Sequence, residues 1–266
     1  MEANLTLIYH YTNVGGLKGI CGEDKAMLRS TDSRYLSDKN EITYGIEIAK
    51  KQVGENLSKM FIRSDIPSAQ EFISRMVCLA NDSLFYTTSF CNEGDKLSQW
   101  QEYASYGDGF SIGFDRNDLQ AFINKSDFNL VDVNYSDIMF KSILHAMEVE
   151  QVKDPVQERV LRDLELYKAY PMILDDIASA KNDTYHSEDE VRAFLVNRIQ
   201  HLDKQQICYF DRGSQKVPFI PLWIDKRIIK EVIVGPNCDK TLAMNLLHDI
   251  KFRYEYEFEI KYSLLQ

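Results

Sequence analysis

Ile8-Tyr9-His10-Tyr11-Thr12, followed at once by Asn13-Val14-Gly15-Gly16-Leu17, is the stretch from which the fold of this chain is read. The first five residues are aromatic or β-branched around one histidine and read as a strand. The next five open a short helix. A His-x-Thr at such a strand end suits a ribose: the imidazole hydrogen-bonds a sugar hydroxyl, and the backbone beside it approaches a flat amide. A purely structural histidine is the plainer alternative. The weight therefore falls on what recurs downstream, namely Ser89-Phe90, Trp100, Tyr103 and the acidic turn ending at Glu190.

Outward from that strand, runs rich in β-branched and aromatic residues predict further strands over Ser83–Cys91, Gly109–Phe114, Phe128–Tyr135, Val191–Asn197, Gln206–Phe210, Glu231–Val234 and Tyr256–Tyr262, with the first covering Leu5–Tyr11. Helical periodicity predicts helices over Asn40–Lys59, Ser68–Ala80, Leu97–Ser105 and Lys240–Lys251, and two across Ser136–Lys181 broken near Pro155. Pro171 is expected to end or kink the last of these. Strands and helices do not alternate regularly, so the pattern is α+β and not a doubly wound parallel sheet. No repeat or low-complexity linker divides the chain, and the expectation is a single domain over 1–266 with a helical insertion at about 136–185. Gly107-Asp108-Gly109 precedes a strand instead of opening a helix, which excludes a dinucleotide fingerprint there.

Composition narrows the function. At 44% hydrophobic residues the chain fills a core without disulfides or metals, and 15 Tyr with 14 Phe supply rings for stacking planar ligands. Cys21, Cys78, Cys91, Cys208 and Cys238 are dispersed with no C-x-x-C pair, which reads as free thiols of a reducing cytoplasm and no zinc. No apolar run is long enough for a membrane span, and the first residues carry no signal-peptide pattern. A net charge of −10 opposes non-specific attraction to nucleic acid. That charge is uneven: 13 acidic against 6 basic residues over Asp137–Glu190, then 8 basic against 3 acidic over Val191–Lys230. The second half is either a mildly basic sheet edge or a phosphate-facing surface.

Two constellations could carry chemistry. The strand Ser83–Cys91 ends in Ser89-Phe90, and Trp100 and Tyr103 share a helix face by their i,i+3 spacing. One hydroxyl and two rings could clamp a flat heteroaromatic group, or the rings could simply pack the helix on the sheet. Glu190 and Arg192, two apart on a strand, point to one face. A carboxylate beside an arginine stays ionised at neutral pH. That suits stabilisation of a positive, oxocarbenium-like sugar, and it equally suits a salt bridge at a strand entrance.

In order, these elements resemble a bacterial family, domain-of-unknown-function family 2971. The residues that carry the resemblance are Tyr9-His10-Tyr11-Thr12, Ser98-Gln99-Trp100-Gln101-Glu102-Tyr103-Ala104, Gly109–Asp115, Glu190-Val191-Arg192 and Ile233-Val234-Gly235-Pro236. Lys39-Asn40-Glu41 looks like a divergent form of the family's Asn-Asp-Pro-Phe-Glu element. The family in turn resembles a distant branch of the ADP-ribosyltransferase fold, a split β-sandwich that cleaves NAD at the nicotinamide–ribose bond. The resemblance implies that Glu190 is the catalytic glutamate. It implies that His10 binds the adenosine ribose of NAD, that Tyr11 and Thr12 of the same motif are also cofactor-binding, that Ser89 and Phe90 lie at the nicotinamide, and that Tyr103 with Trp100 stacks on it. Arg192 would support Glu190 or neutralise a phosphate. The expected activity is transfer of ADP-ribose to a macromolecule, protein or nucleic acid, by a cytoplasmic toxin or phage-defence effector with a possible cognate antitoxin. The alternatives are an NAD glycohydrolase and a non-catalytic nucleotide- or protein-binding module. NAD is then the substrate, and neither a metal nor a membrane is involved.

Overall fold

The computed structural model describes residues 6–36, 40–60, 66–135, 155–198 and 207–265. Leu5, Lys39, Gln206 and the segment 136–154 of the expected helical insertion lie outside the described residues. The chain is α+β. Its strands are β1 (Leu7–Thr12), β2 (Ala26–Asp32), β3 (Ser83–Cys91), β4 (Phe110–Asp115), β5 (Asn129–Asp132), β6 (Glu190–Arg198), β7 (Cys208–Arg212), β8 (Gln215–Ile224), β9 (Ile229–Val234) and β10 (Glu259–Tyr262). The helices are α1 (Val14–Ile20), α2 (Glu41–Met60), α3 (Ile66–Asn81), α4 (Leu97–Tyr103), α5 (Arg116–Ile123), α6 (Pro155–Ser179) and α7 (Lys240–Tyr254).

The strands run in the order β10-β9-β4-β1-β3-β2-β8-β7, antiparallel except for β9 beside β10. β6 covers the other edge of β3 in full register, from Ser83 opposite Arg198 to Cys91 opposite Glu190, and carries β5 on its far side. β3 is therefore a junction. On one edge it meets β1 only at Tyr9–Cys91 and β2 only at Thr31–Thr87 and Asp32–Tyr86. Between those contacts β1 and β2 part, and the backbone of β3 around Ser89 has no strand neighbour on that edge. This parting opens the site.

Two layers of helix flank the sheet. The larger core gathers Ile8, Tyr86, Phe90, Phe114 and Val191 with Leu17 of α1, Leu119 and Ile123 of α5 and Leu247 of α7. A second core sets Phe85 and Phe194, on the opposite face by the alternation of a strand, against Ile46 and Ala49 of α2, Met76 and Ala80 of α3 and Ile173 and Ile177 of α6. α2 lies close on α6 because Gly45 has no side chain; a Cβ there would sit 2.5 Å from the Ile177 carbonyl oxygen. The five cysteines are free.

Four elements differ from the sequence reading, among them α5, for which it predicts no helix. β8 contains Pro218 and Pro221, which argue against a strand that lies between two others. It pairs β7 only over Gln215–Phe219 and β2 only over Phe219–Ile224, so each proline has a strand on one edge alone. β2 has no period-2 apolar pattern, because Ser30, Thr31 and Asp32 are buried together with its apolar residues. α6 runs through Pro171 and is not ended by it. Pro171 is exposed, and beyond it Ile173, Leu174, Ile177 and Ala178 are buried. Their burial outweighs the roughly 3 kcal/mol that an interior proline costs a helix.

Candidate functional site

The parting of β1 from β2 forms a cleft of about 800 Å³, a size typical of small-molecule sites. His10, Tyr11, Thr12, Ser89, Phe90, Tyr103 and Glu190 all line it. His10 stands where β3 lacks a strand neighbour. Its Nδ1 lies 2.9 Å from the Ser89 carbonyl oxygen. A carbonyl only accepts, so Nδ1 carries the proton. Burial draws the His10 pKa below its ordinary value against the opposing effect of that bond. The ring is thus neutral near pH 7, leaving Nε2 as an acceptor for a ligand hydroxyl. Phe90 packs edge-on against it with ring centroids 6.0 Å apart.

Tyr11 is tied to the rim of the cleft. Its hydroxyl donates to the Glu93 carbonyl at 2.8 Å and accepts from the Lys96 N–H at 2.9 Å. Trp100 packs against Tyr11 with centroids 4.9 Å apart, and its Nε1 donates to Asp95 at 2.7 Å. Trp100 is 1% exposed, lies in a small core with Cys91, Ala104 and Ile233, and does not line the cleft. Tyr103, one turn further along α4, is 38% exposed and does line it. Enclosure first, then the carboxylates of Glu188 and Glu102, push its phenol upward, so it remains a neutral hydroxyl.

Glu190 opens β6 directly after Asp189, which takes the left-handed conformation at φ 46°. Strain of this kind is uncommon for a residue other than glycine and is held here by its surroundings. The Asp189 carbonyl accepts from the Asn92 backbone N–H at 3.1 Å, and its Oδ1 accepts from Asn92 Nδ2 at 3.0 Å. The Glu190 side chain is 3% exposed. Arg192 Nε donates to Oε1 and Arg192 Nη2 to Oε2, both at 2.9 Å, while Lys181 Nζ donates to Oε2 at 2.8 Å. Burial alone would raise this carboxyl, but the two cations outweigh it and hold the group below the usual carboxylate range. A carboxylate has about four lone-pair sites; these bonds use three, which leaves one on Oε1.

Arg192 is 1% exposed and does not line the cleft, and its Nη1 donates to the Ala178 carbonyl at 2.7 Å. Its other two donors, Nε and Nη2, are the ones that hold Glu190. The sequence reading missed two residues here. Lys181 bridges Glu190 and Glu188, at 2.8 and 2.9 Å. Glu188 lines the cleft, and its carboxyl is raised by burial against the pull of Lys181. The available signal was the acidic run Glu188-Asp189-Glu190, whose close negative charges require a nearby cation when buried. Among the described residues no cluster of His, Cys, Asp and Glu is arranged to hold a metal ion.

Known proteins resemble the chain in two ways. A chain of "Thermus sp. 2.9 DarT in complex with ADP-ribosylated ssDNA" is similar at 12% identity and TM-score 0.36, covering 98% of this chain and 95% of that one. No curated protein matches. Residues 99–193, from α4 to the Glu190–Arg192 pair, match the model of the family described as "Protein of unknown function (DUF2971)", the family that the motifs of this chain resemble.

Proposed function

We propose that the cleft binds NAD, cleaves its nicotinamide–ribose bond and passes ADP-ribose to a macromolecule. The observation that supports this most is Glu190: an ionised carboxylate, fixed by two cations, on the wall of a cleft that also presents His10, Ser89 and Tyr103. As the bond breaks, its electron pair leaves with nicotinamide and neutralises the pyridinium ring. Positive charge then develops on the ribose. A carboxylate already oriented and charged stabilises that charge without reorganising, and in this reading the remaining lone pair on Oε1 accepts from a ribose hydroxyl. The acceptor nucleophile bonds to the ribose carbon and gives up its proton to solvent.

In this reading Nε2 of His10 accepts from the adenosine ribose, the Ser89 hydroxyl binds the carboxamide and the Tyr103 ring stacks on the nicotinamide. These groups supply orientation. The acceptor is a protein or a nucleic acid. A role in conflict between cells or against phage, with a cognate antitoxin, rests on the family resemblance alone. The test is incubation with NAD while free nicotinamide is followed, with and without cell lysate. Release that needs lysate supports transfer. Release without it indicates an NAD glycohydrolase, and none in either arm indicates a binding module.

A further inference from the structure

The same cleft reaches a wall that the proposed reaction leaves unused. Arg29 of β2 holds its guanidinium carbon 4.8 Å from the ring centroid of Phe210 in β7 and 5.7 Å from that of Phe219 in β8. Arg212 lies 5.4 Å from the same Phe210 ring, and its Nη1 donates to the Tyr35 carbonyl at 2.8 Å. Arg29, Phe210 and Arg212 all line the cleft, as does Asp211. Arg34, Arg116, Arg192, Arg227 and Arg253 each hold a carboxylate. Arg29 and Arg212 form no ion pair among the described residues, with Asp211 or any other carboxylate. Two uncompensated guanidiniums in one wall stand out in a chain of net charge −10. Gly19 of α1 makes room for one of them, since a Cβ there would lie 3.1 Å from Arg29 Nη2.

The strands that carry Arg29 and Glu190, β2 and β6, pair with opposite edges of β3. At Thr87, β2 pairs one edge of β3 and β6 the other, through Thr31 and Phe194. Two strand spacings amount to roughly 10 Å. Glu102, Glu188 and Glu190 line the cleft, as do Arg29 and Arg212. A ligand matched to this cleft is positive at one end and carries anionic charge some way along. Guanidinium forks pair with phosphate oxygens two at a time, and stacking on aromatic rings orients them before a ligand arrives.

We propose that Arg29 and Arg212, steadied by Phe210, form an anion subsite that takes the diphosphate of a nucleotide bound in this cleft. The proposal rests on the reading of the cleft as a dinucleotide site. Its test is calorimetric titration of the full chain with ADP, adenosine and inorganic pyrophosphate, using the natural protein, Arg29→Met, Arg212→Met and Arg29→Lys. Expected is ADP at least tenfold tighter than adenosine, and a loss of about tenfold for ADP in each Met variant with adenosine unchanged. Arg29→Lys should recover part of the loss. Melting curves verify that these surface variants fold. No ADP binding by the natural protein, equal losses for ADP and adenosine, or no loss for either would overturn the subsite. So would variants that lose affinity for a single-stranded oligonucleotide and keep it for ADP, since the arginines would then serve an acceptor. Nicotinamide release separates the two readings. Arginine-dependent ADP binding without release from NAD removes the NAD reading and keeps the subsite. Release with KM unchanged in both Met variants does the reverse.

Discussion

At the scale of single residues, Glu190 is both a candidate catalytic group and a structural one, because Arg192 at 1% exposure has its charge neutralised there. Removing one partner of a buried pair costs about 3–5 kcal/mol. Glu190→Gln is therefore expected to lower the melting temperature whatever the role of Glu190, and only turnover is diagnostic. Measured at a temperature where the variant is folded, nicotinamide release should fall roughly 100- to 1000-fold with NAD affinity little changed. Unchanged turnover would leave a salt bridge at a strand entrance. Lys181 offers an independent reading. Lys181→Met removes one of the two cations that keep the Glu190 carboxyl low, so the acid limb of the pH–rate profile should move up by about one unit. A limb that stays in place would show that Glu190 does not set it. The pairing of Glu190 with Arg192 was legible from their i,i+2 spacing, whereas Lys181 was not. It reaches Glu190 only because residues Asp183–Glu188 turn back as a short 3-10 helix.

At the scale of elements, α4 is seated by the far end of the chain. Asp95 accepts from Trp100 Nε1 at 2.7 Å, from the Ser263 hydroxyl at 2.6 Å and from the Leu264 N–H at 2.7 Å. One carboxylate thus ties the start of α4 to the segment after β10. Asp95→Ala leaves a buried indole N–H without its partner, at about 1–3 kcal/mol. It is expected to speed hydrogen exchange across Leu97–Tyr103 while the amides of β3 and β6 keep their protection. Equal loss of protection in all three would mean that the latch supports the whole fold and not α4 in particular. The i,i+3 spacing of Trp100 and Tyr103 was legible as one helix face. Their division between core and cleft was not, since it depends on Tyr11, Cys91 and Ile233 arriving from three other elements.

At the scale of the whole molecule, α6 is anchored beside a carboxylate that opposes folding at neutral pH. Burial first, then its neighbour Asp176, raises Asp175 to about 6, against a hydrogen bond from Asn129. A carboxyl raised in the folded state contributes stability below its unfolded pKa of about 3.9 and loses it as pH rises through the folded value. Asp175→Asn should accordingly raise stability near pH 7.5 by on the order of 1 kcal/mol, discounted for its partial exposure. Near pH 4 the effect should vanish. Thermal melts at both pH values check this, and an equal gain at both would mean the effect is not ionisation.

Local pattern alone determined the α+β class and most strands, because alternation, helical period and turn residues act over a few positions. His10 and Glu190 were each singled out by their local motifs together with the family resemblance. That they line one cleft was decided by tertiary structure, through the register that sets Cys91 opposite both Tyr9 and Glu190. The same holds for β8, whose prolines are tolerated only because its two neighbours pair with different halves of it. α6 crosses Pro171 for a related reason, since the apolar residues beyond it have a core to enter. Pairing and burial are interactions between distant segments, and they can outweigh what neighbouring residues favour by themselves.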